Sequence, residues 1–158
     1  MTGSPGGRVV TLTANPSLDR TLDLPAPLVA GGIVRLSGAA TEPGGKGVNV
    51  ARAIAAAGGD VVSVLPAAAS DPIVTALRAL GLELATVPVQ TPVRTNYTIV
   101  DPVGTTTKLN EPGALLTDAT RAALTGVLHG HAAARVASVR SAPGSLSFVV
   151  VPSGSTIV

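Results

Sequence analysis

One short stretch of this 158-residue chain crowds together the residue types that hold small ligands: Glu42-Pro43-Gly44-Gly45-Lys46-Gly47-Val48-Asn49-Val50-Ala51-Arg52. Three glycines within four residues remove every Cβ that would keep a ligand off the backbone. Val48, Ala51 and Ala55, with Ile54 beside them, then recur at helical spacing. A glycine turn feeding a helix points free N–H groups, and the positive end of the helix dipole, at whatever sits in the turn. Lys46 adds a cation, and Asn49 an amide that both donates and accepts. This suits a hydroxyl-rich or anionic small molecule; the alternative is a turn that merely starts a helix. A P-loop is excluded, because Ala40 stands five before Gly45 and Lys46 is followed by Gly47 rather than Ser or Thr. A dinucleotide fingerprint is excluded too, because Val50 stands where its last glycine belongs.

Two further places carry candidate chemistry. Asp19 follows an apolar run at residues 9–14 and an Asn15-Pro16 turn, and ligands of open α/β sheets bind beyond the carboxyl ends of strands. It either accepts hydrogen bonds from vicinal hydroxyls or caps the turn. Arg94, Asn96, Lys108 and Asn110 fall in two alternating stretches around Asp101-Pro102-Val103-Gly104, a type I turn signal. Arg94 and Lys108 suit a phosphate clamp, or else form a solvated hairpin face. His129 and His131 make an H-x-H pair with no third ligand nearby, which reads as a surface or loop pair rather than a metal site.

The elements that position these residues follow from periodicity. Residues 9–14 read as a core strand, and residues 20–24 with part of 34–40 as two half-buried strands of a small flap. The glycine loop opens a helix ending at Gly58-Gly59, and residues 60–65 form a second core strand. Asp71 caps a helix with Pro72 at its first position, Ile73, Leu77 and Leu80 on its apolar stripe, and Gly81 at its end. A strand over 82–89, a hairpin, and a Thr117-capped helix running to about Leu128 complete the pattern. Strand–helix alternation predicts right-handed crossovers and a parallel, doubly wound sheet.

Composition narrows the partners. Hydrophobic residues make up 46% of the chain, which argues against disorder throughout. Tyr97 and Phe148 are its aromatics, and its eleven cations form no run at a net charge of +2, so a nucleic-acid partner is not expected. The absence of cysteine excludes disulfides and thiolate metal sites and fits a reducing cytosol. No apolar run reaches the length of a spanning helix, and Met1 to Gly7 lacks the apolar core of a signal peptide. The chain therefore reads as cytoplasmic, without a membrane partner.

Four segments carry a resemblance. Thr11-Leu12-Thr13-Ala14-Asn15-Pro16-Ser17-Leu18-Asp19, Pro43-Gly44-Gly45-Lys46-Gly47-Val48-Asn49-Val50-Ala51-Arg52, Arg94-Thr95-Asn96, and Thr107-Lys108-Leu109-Asn110-Glu111-Pro112-Gly113 come in the order and spacing of one family. Together they resemble the ribokinase-like (PfkB) carbohydrate kinases, on the 1-phosphofructokinase and tagatose-6-phosphate kinase branch. The resemblance spans residues 9–128 and implies an α/β fold: a ribokinase-like parallel sheet with flanking helices and a small β-sheet lid, at about 20–41 and 93–110. It implies ATP- and Mg2+-dependent phosphorylation of a sugar phosphate, fructose 1-phosphate first, with tagatose 6-phosphate or fructose 6-phosphate as alternatives. Asp19 would hold sugar hydroxyls, while Gly44, Gly45, Lys46 and Asn49 would line the sugar pocket. Arg94 would bind the substrate's phosphate, with Asn96 and Lys108 nearby. In this family the lid can pair between subunits, which leaves a homodimer open.

The chain also departs from the family pattern. The family's catalytic Asp, in a late G-A-G-D motif, has no counterpart, since no carboxylate side chain follows Asp118. Pro66-Ala67-Ala68-Ala69-Ser70-Asp71 stands where the family usually has glycines, and Gly144-Ser145-Leu146 begins a family element that Ser147-Phe148 then breaks. The expectation is a flexible leader over 1–8, a truncated or frame-shifted kinase domain over 9–128, and a divergent tail over 129–158. The other readings are a catalytically inactive sugar-phosphate-binding fragment and a lid-mediated interaction module.

Overall fold

The computed structural model describes residues 8–131, 136–140 and 146–150. Most of the leader (1–7), and Gly144-Ser145 of the interrupted family element, lie outside them. The elements run β1 (Val9–Thr13), β2 (Ser17–Asp23), β3 (Gly38–Gly44), α1 (Lys46–Ala56), β4 (Val61–Pro66), α2 (Pro72–Ala79), β5 (Glu83–Val87), β6 (Arg94–Val100), β7 (Thr106–Asn110), α3 (Asp118–His131), β8 (Val136–Arg140) and β9 (Leu146–Val150). They form two sheets. The main sheet has the order β5-β4-β1-β9-β8, and the lid the order β3-β2-β6-β7.

The predicted parallel sheet is present in β5, β4 and β1. β9 pairs antiparallel with β1 and β8 with β9, so the sheet as a whole is mixed. β4 is buried at all six positions, as a strand covered on both faces must be. Its alternation divides the core into two layers. Val61 and Leu65 pack with Val48 and Ala51 of α1 and Ile73, Val74 and Leu77 of α2. Val62 and Val64 pack with Val10, Leu12, Val87 and, from α3, Leu124 and Leu128. At eight residues α2 is too short to hold itself. Burial of its three apolar side chains, at about 2 kcal/mol each, outweighs its weak intrinsic preference.

Three sequence expectations shift in detail. The flap's second strand starts at Gly38 rather than near Val34 and runs on through Glu42 and Pro43 to Gly44, residues expected in a loop. The ladder with β2, from Ser17↔Gly44 to Asp23↔Gly38, holds them extended, and Pro43 is tolerated because β3 is an edge strand. Leu80 is not on the apolar stripe of α2; it is the C-cap residue and half exposed, because the helix ends at Ala79 and Gly81 turns the chain at φ 76°. Arg8, placed with the leader, instead ties β1 to the sheet. Its guanidinium bonds Asp60 at 3.1 Å and also pairs with Glu83, and hydrogen bonding to Asp60 holds its pKa above the usual value. Among the described residues no helix is long and apolar enough to cross a membrane.

Asp71 does more than cap α2. One carboxylate oxygen accepts from Ile73 N at 3.1 Å and the other from Val93 N at 2.9 Å, joining the helix start to the chain entering β6. Asp71→Ala removes a helix cap and strands a part-buried N–H, so we expect a loss of about 2 kcal/mol. Urea denaturation measures it; a change within about 0.5 kcal/mol would show that packing alone holds this junction.

Candidate functional site

The glycine run is the seam between lid, helix and main sheet. Gly45 is the N-cap residue of α1, at φ 119°, a conformation that favours glycine. A Cβ on Gly47 would stand 2.5 Å from Thr13 Oγ1 and 2.6 Å from the Leu12 carbonyl oxygen, so α1 starts in direct backbone contact with the end of β1. Gly45 has no side chain to cap the helix; Thr13 Oγ1 accepts from Val48 N at 2.9 Å and does so from the neighbouring strand. One of the N–H groups expected to face a ligand is therefore spent inside the protein. Lys46 and Asn49 are exposed in the first turn of the helix.

The lid presents a polar face. Strand register aligns Glu42, Asp19, Asn96 and Asn110 laterally across β3, β2, β6 and β7. Gly44, Ser17 and Arg94 form the next row on that face. Asp19 Oδ1 accepts from Ser17 Oγ at 2.8 Å and from Asn96 Nδ2 at 2.9 Å. A Cβ on Gly44 would lie 2.1 Å from Asp19 Oδ2 and 2.5 Å from its Cγ, so the carboxylate rests on bare backbone. Asn96 Oδ1 is buried without a hydrogen-bond partner.

Arg94 reaches back from the lid toward the main sheet. Nη1 donates to the Glu111 carbonyl at 3.2 Å and Nη2 to the Asn15 carbonyl at 3.5 Å, while Nε is buried and unpartnered. The Glu111 carboxylate accepts from Thr95 N at 2.8 Å, fixing the backbone beside it. Lys108 shares the polar face, but its register partner is Thr98, four residues along β6 from Arg94. That is about 13 Å of strand, and Arg94 is directed the other way, so the two cations do not form the clamp their types suggested.

An open cleft of about 790 Å³ runs from Asp19, Glu42 and Asn49 past Arg52 along α1 toward Leu82. Arg52 donates to the Pro43 carbonyl at 3.3 Å and pairs with Glu42 at 3.5 Å, holding the end of β3 to the helix. The structure thus gathers Asp19, Gly44, Asn96 and Arg94 on adjoining strands, sets Gly45, Lys46 and Asn49 at the adjoining helix start, and leaves Lys108 farther out. His129 and His131 are exposed in the last turn of α3, and no group of three acidic, histidine or cysteine side chains among the described residues could hold a metal.

Sequence reasoning did not single out Asn15, Ser17, Arg52 or Glu111 as parts of this site. Ser17 was findable, since i and i+2 on a strand share a face and bring its hydroxyl to Asp19. The others act across junctions between lid and sheet or helix, which no local spacing reveals.

No family model matches the chain. It is 36% identical over 114 residues to the ATP-dependent 6-phosphofructokinase isozyme 2 of Escherichia coli K12, covering 70% of this chain and 37% of that protein. The crystal structure of phosphofructokinase-2 from Escherichia coli in complex with fructose-6-phosphate superposes with a TM-score of 0.68 at 33% identity, over 75% of this chain and 40% of that one. A possible 1-phosphofructokinase from Thermotoga maritima gives 0.66 at 29% identity, over 76% of this chain and 40% of that one. The chain thus spans about two fifths of the length of these relatives. It is homologous to phosphofructokinase-2 and takes the ribokinase-like fold of the PfkB-family kinases.

Proposed function

We propose that this chain carries the sugar-phosphate-holding part of an ATP-dependent fructose-phosphate kinase. The observation that carries the reading is the lid face on which Asp19, backed by Ser17 and Asn96 and lying on Gly44, sits one row from Arg94. With Oδ1 held by two donors, the Asp19 carboxylate keeps a fixed orientation and accepts from sugar hydroxyls. Asn49 and Lys46 add donors from the helix start. Arg94 offers its remaining N–H groups to the phosphate, and its charge offsets the phosphate's. A fixed phosphate and fixed hydroxyls leave the sugar one orientation, the main thing an enzyme contributes to phosphoryl transfer.

The substrate class is a ketose phosphate. Sequence reading puts fructose 1-phosphate first; the fructose-6-phosphate bound by the Escherichia coli relative supports that ester as the alternative to test beside it. ATP and Mg2+ belong to the proposed reaction, but the described residues offer no convergent carboxylates for a metal, and we assign neither group to this stretch. The second reading, binding without turnover by this stretch, is favoured by what the lid gathers: Asp19, Asn96 and Arg94 are groups that hold a ligand. A homodimer through the lid is also proposed. The face opposite Asp19 carries Leu22, Tyr97 and Ile99, half-buried, and Leu109, 55% exposed.

Calorimetric titration should show saturable binding of fructose 1-phosphate or fructose 6-phosphate to the chain. Arg94→Ala should weaken it by at least about tenfold, the value of one charged hydrogen bond; no binding of either ester would remove the proposal. Gly44→Ala must push the Asp19 carboxylate out of its bonds to Ser17 and Asn96. We expect the chain to stay folded by circular dichroism and binding to fall below detection; unchanged affinity would mean that Asp19 does not touch the sugar. For the lid, sedimentation should give a dimer that Leu109→Asp dissociates, and a monomer at every concentration would end that part of the reading.

A further inference from the structure

We propose that Asn15 is a positioning residue that aims the Arg94 guanidinium at the substrate phosphate; this rests on Arg94 being the phosphate ligand. The main sheet passes into the lid through the turn between β1 and β2, where Asn15 sits, and the lid returns through the Glu111-Pro112-Gly113 run after β7. Arg94 takes one acceptor from each crossing, the Asn15 carbonyl for Nη2 and the Glu111 carbonyl for Nη1. The Asn15 side chain ties the same two crossings together. Its Nδ2 donates to the Pro112 carbonyl at 3.1 Å. Its Oδ1 lies 2.2 Å from where a Cβ on Gly113 would stand, and Gly113 has φ 85°. Pro16 disfavours helical backbone at Asn15, which narrows where its carbonyl can point.

The consequence follows from the shape of the fork. A guanidinium carries five N–H donors in one rigid plane. Holding Nη1 and Nη2 on carbonyls from two crossings fixes that plane, and with it the directions of the remaining N–H groups. Each Nη keeps one N–H beyond those carbonyls, and a phosphate oxygen is a charge-assisted acceptor for it. Without the Asn15 side chain the two crossings can drift apart, and the fork loses its aim while keeping its charge.

The test compares fructose 6-phosphate with unphosphorylated fructose by amide NMR titration of the chain and its Arg94→Ala, Asn15→Ala and Asn15→Asp variants. The readout is the preference for the phosphorylated sugar, which a merely structural role would leave alone. Asn15→Ala should cut that preference about tenfold, one misaimed charged hydrogen bond, with fructose affinity unchanged. Asn15→Asp keeps an oxygen against Gly113, loses the donor to Pro112, and should lower the preference too. It carries the test alone if Asn15→Ala does not fold. Equal weakening of both sugars, or an unchanged preference in the Asn15 variants while Arg94→Ala abolishes it, overturns the inference. If Arg94→Ala itself keeps the preference, the phosphate reading fails first and the role of Asn15 fails with it.

Discussion

The carboxylate of Asp19 fills the space that a side chain at position 44 would need. Everything around the site is arranged so that this overlap never arises. β3 must end on a glycine there, and the backbone must turn at once into α1, which Gly45 permits with φ 119°. The helix must then lie directly on β1, which the missing Cβ of Gly47 permits. The glycines are therefore not equivalent: 44 and 47 answer crowding, 45 answers a backbone angle. Lid, helix and main sheet meet within four residues, so small changes of lid position are felt at the carboxylate.

The site's rigidity is borrowed from the core. Leu18, the neighbour of Asp19 on the other face of β2, and Val93, the residue before Arg94, both pack against the cluster beneath α1 and α2. Asp71 bonds the start of α2 to Val93 N, so the chain is held by hydrogen bond and by packing where it enters β6. Thr13 plays the matching part at α1, supplying from β1 the cap that Gly45 cannot. The polar residues of the lid are thus placed by groups one step behind them that have no chemistry of their own to perform.

How much of this could be read from the chain depends on the range over which each interaction acts. The core strands and the three helices follow from local periodicity, and Asp71-Pro72 announces the start of α2 unambiguously. Asp19, the glycine run and Arg94 are visible because their types are unusual for their surroundings. The lid's register is not visible: nothing local says that β2 and β6 run parallel and bring Asn96 opposite Asp19. For the same reason Arg94 and Lys108, alike in charge and close in a drawn hairpin, looked like a pair. Four residues along the paired strands set them apart. The antiparallel β9 beside β1 was equally hidden, since pairing with a distant segment leaves no periodic trace at either partner.

Among the described residues two buried polar atoms have no partner within the chain, and both lie on β6. Arg94 Nε and Asn96 Oδ1, a donor and an acceptor on the same strand, each cost about 1–3 kcal/mol when left without a partner. Against a typical domain stability of about 5–15 kcal/mol that is a large penalty to carry in two residues of one lid strand. Replacing either with an apolar side chain of similar size would remove its share at once, and a surface serving only stability would have no reason to keep them. Their neighbours are already engaged: the Asn96 amide nitrogen by Asp19, the Arg94 Nη atoms by carbonyls. What remains is one N–H on each Nη, the Nε–H, and one acceptor on a neutral amide two residues along the same strand face. Under the proposed function the phosphate takes the Nη donors, and the buried pair is the cost of holding fork and amide in place.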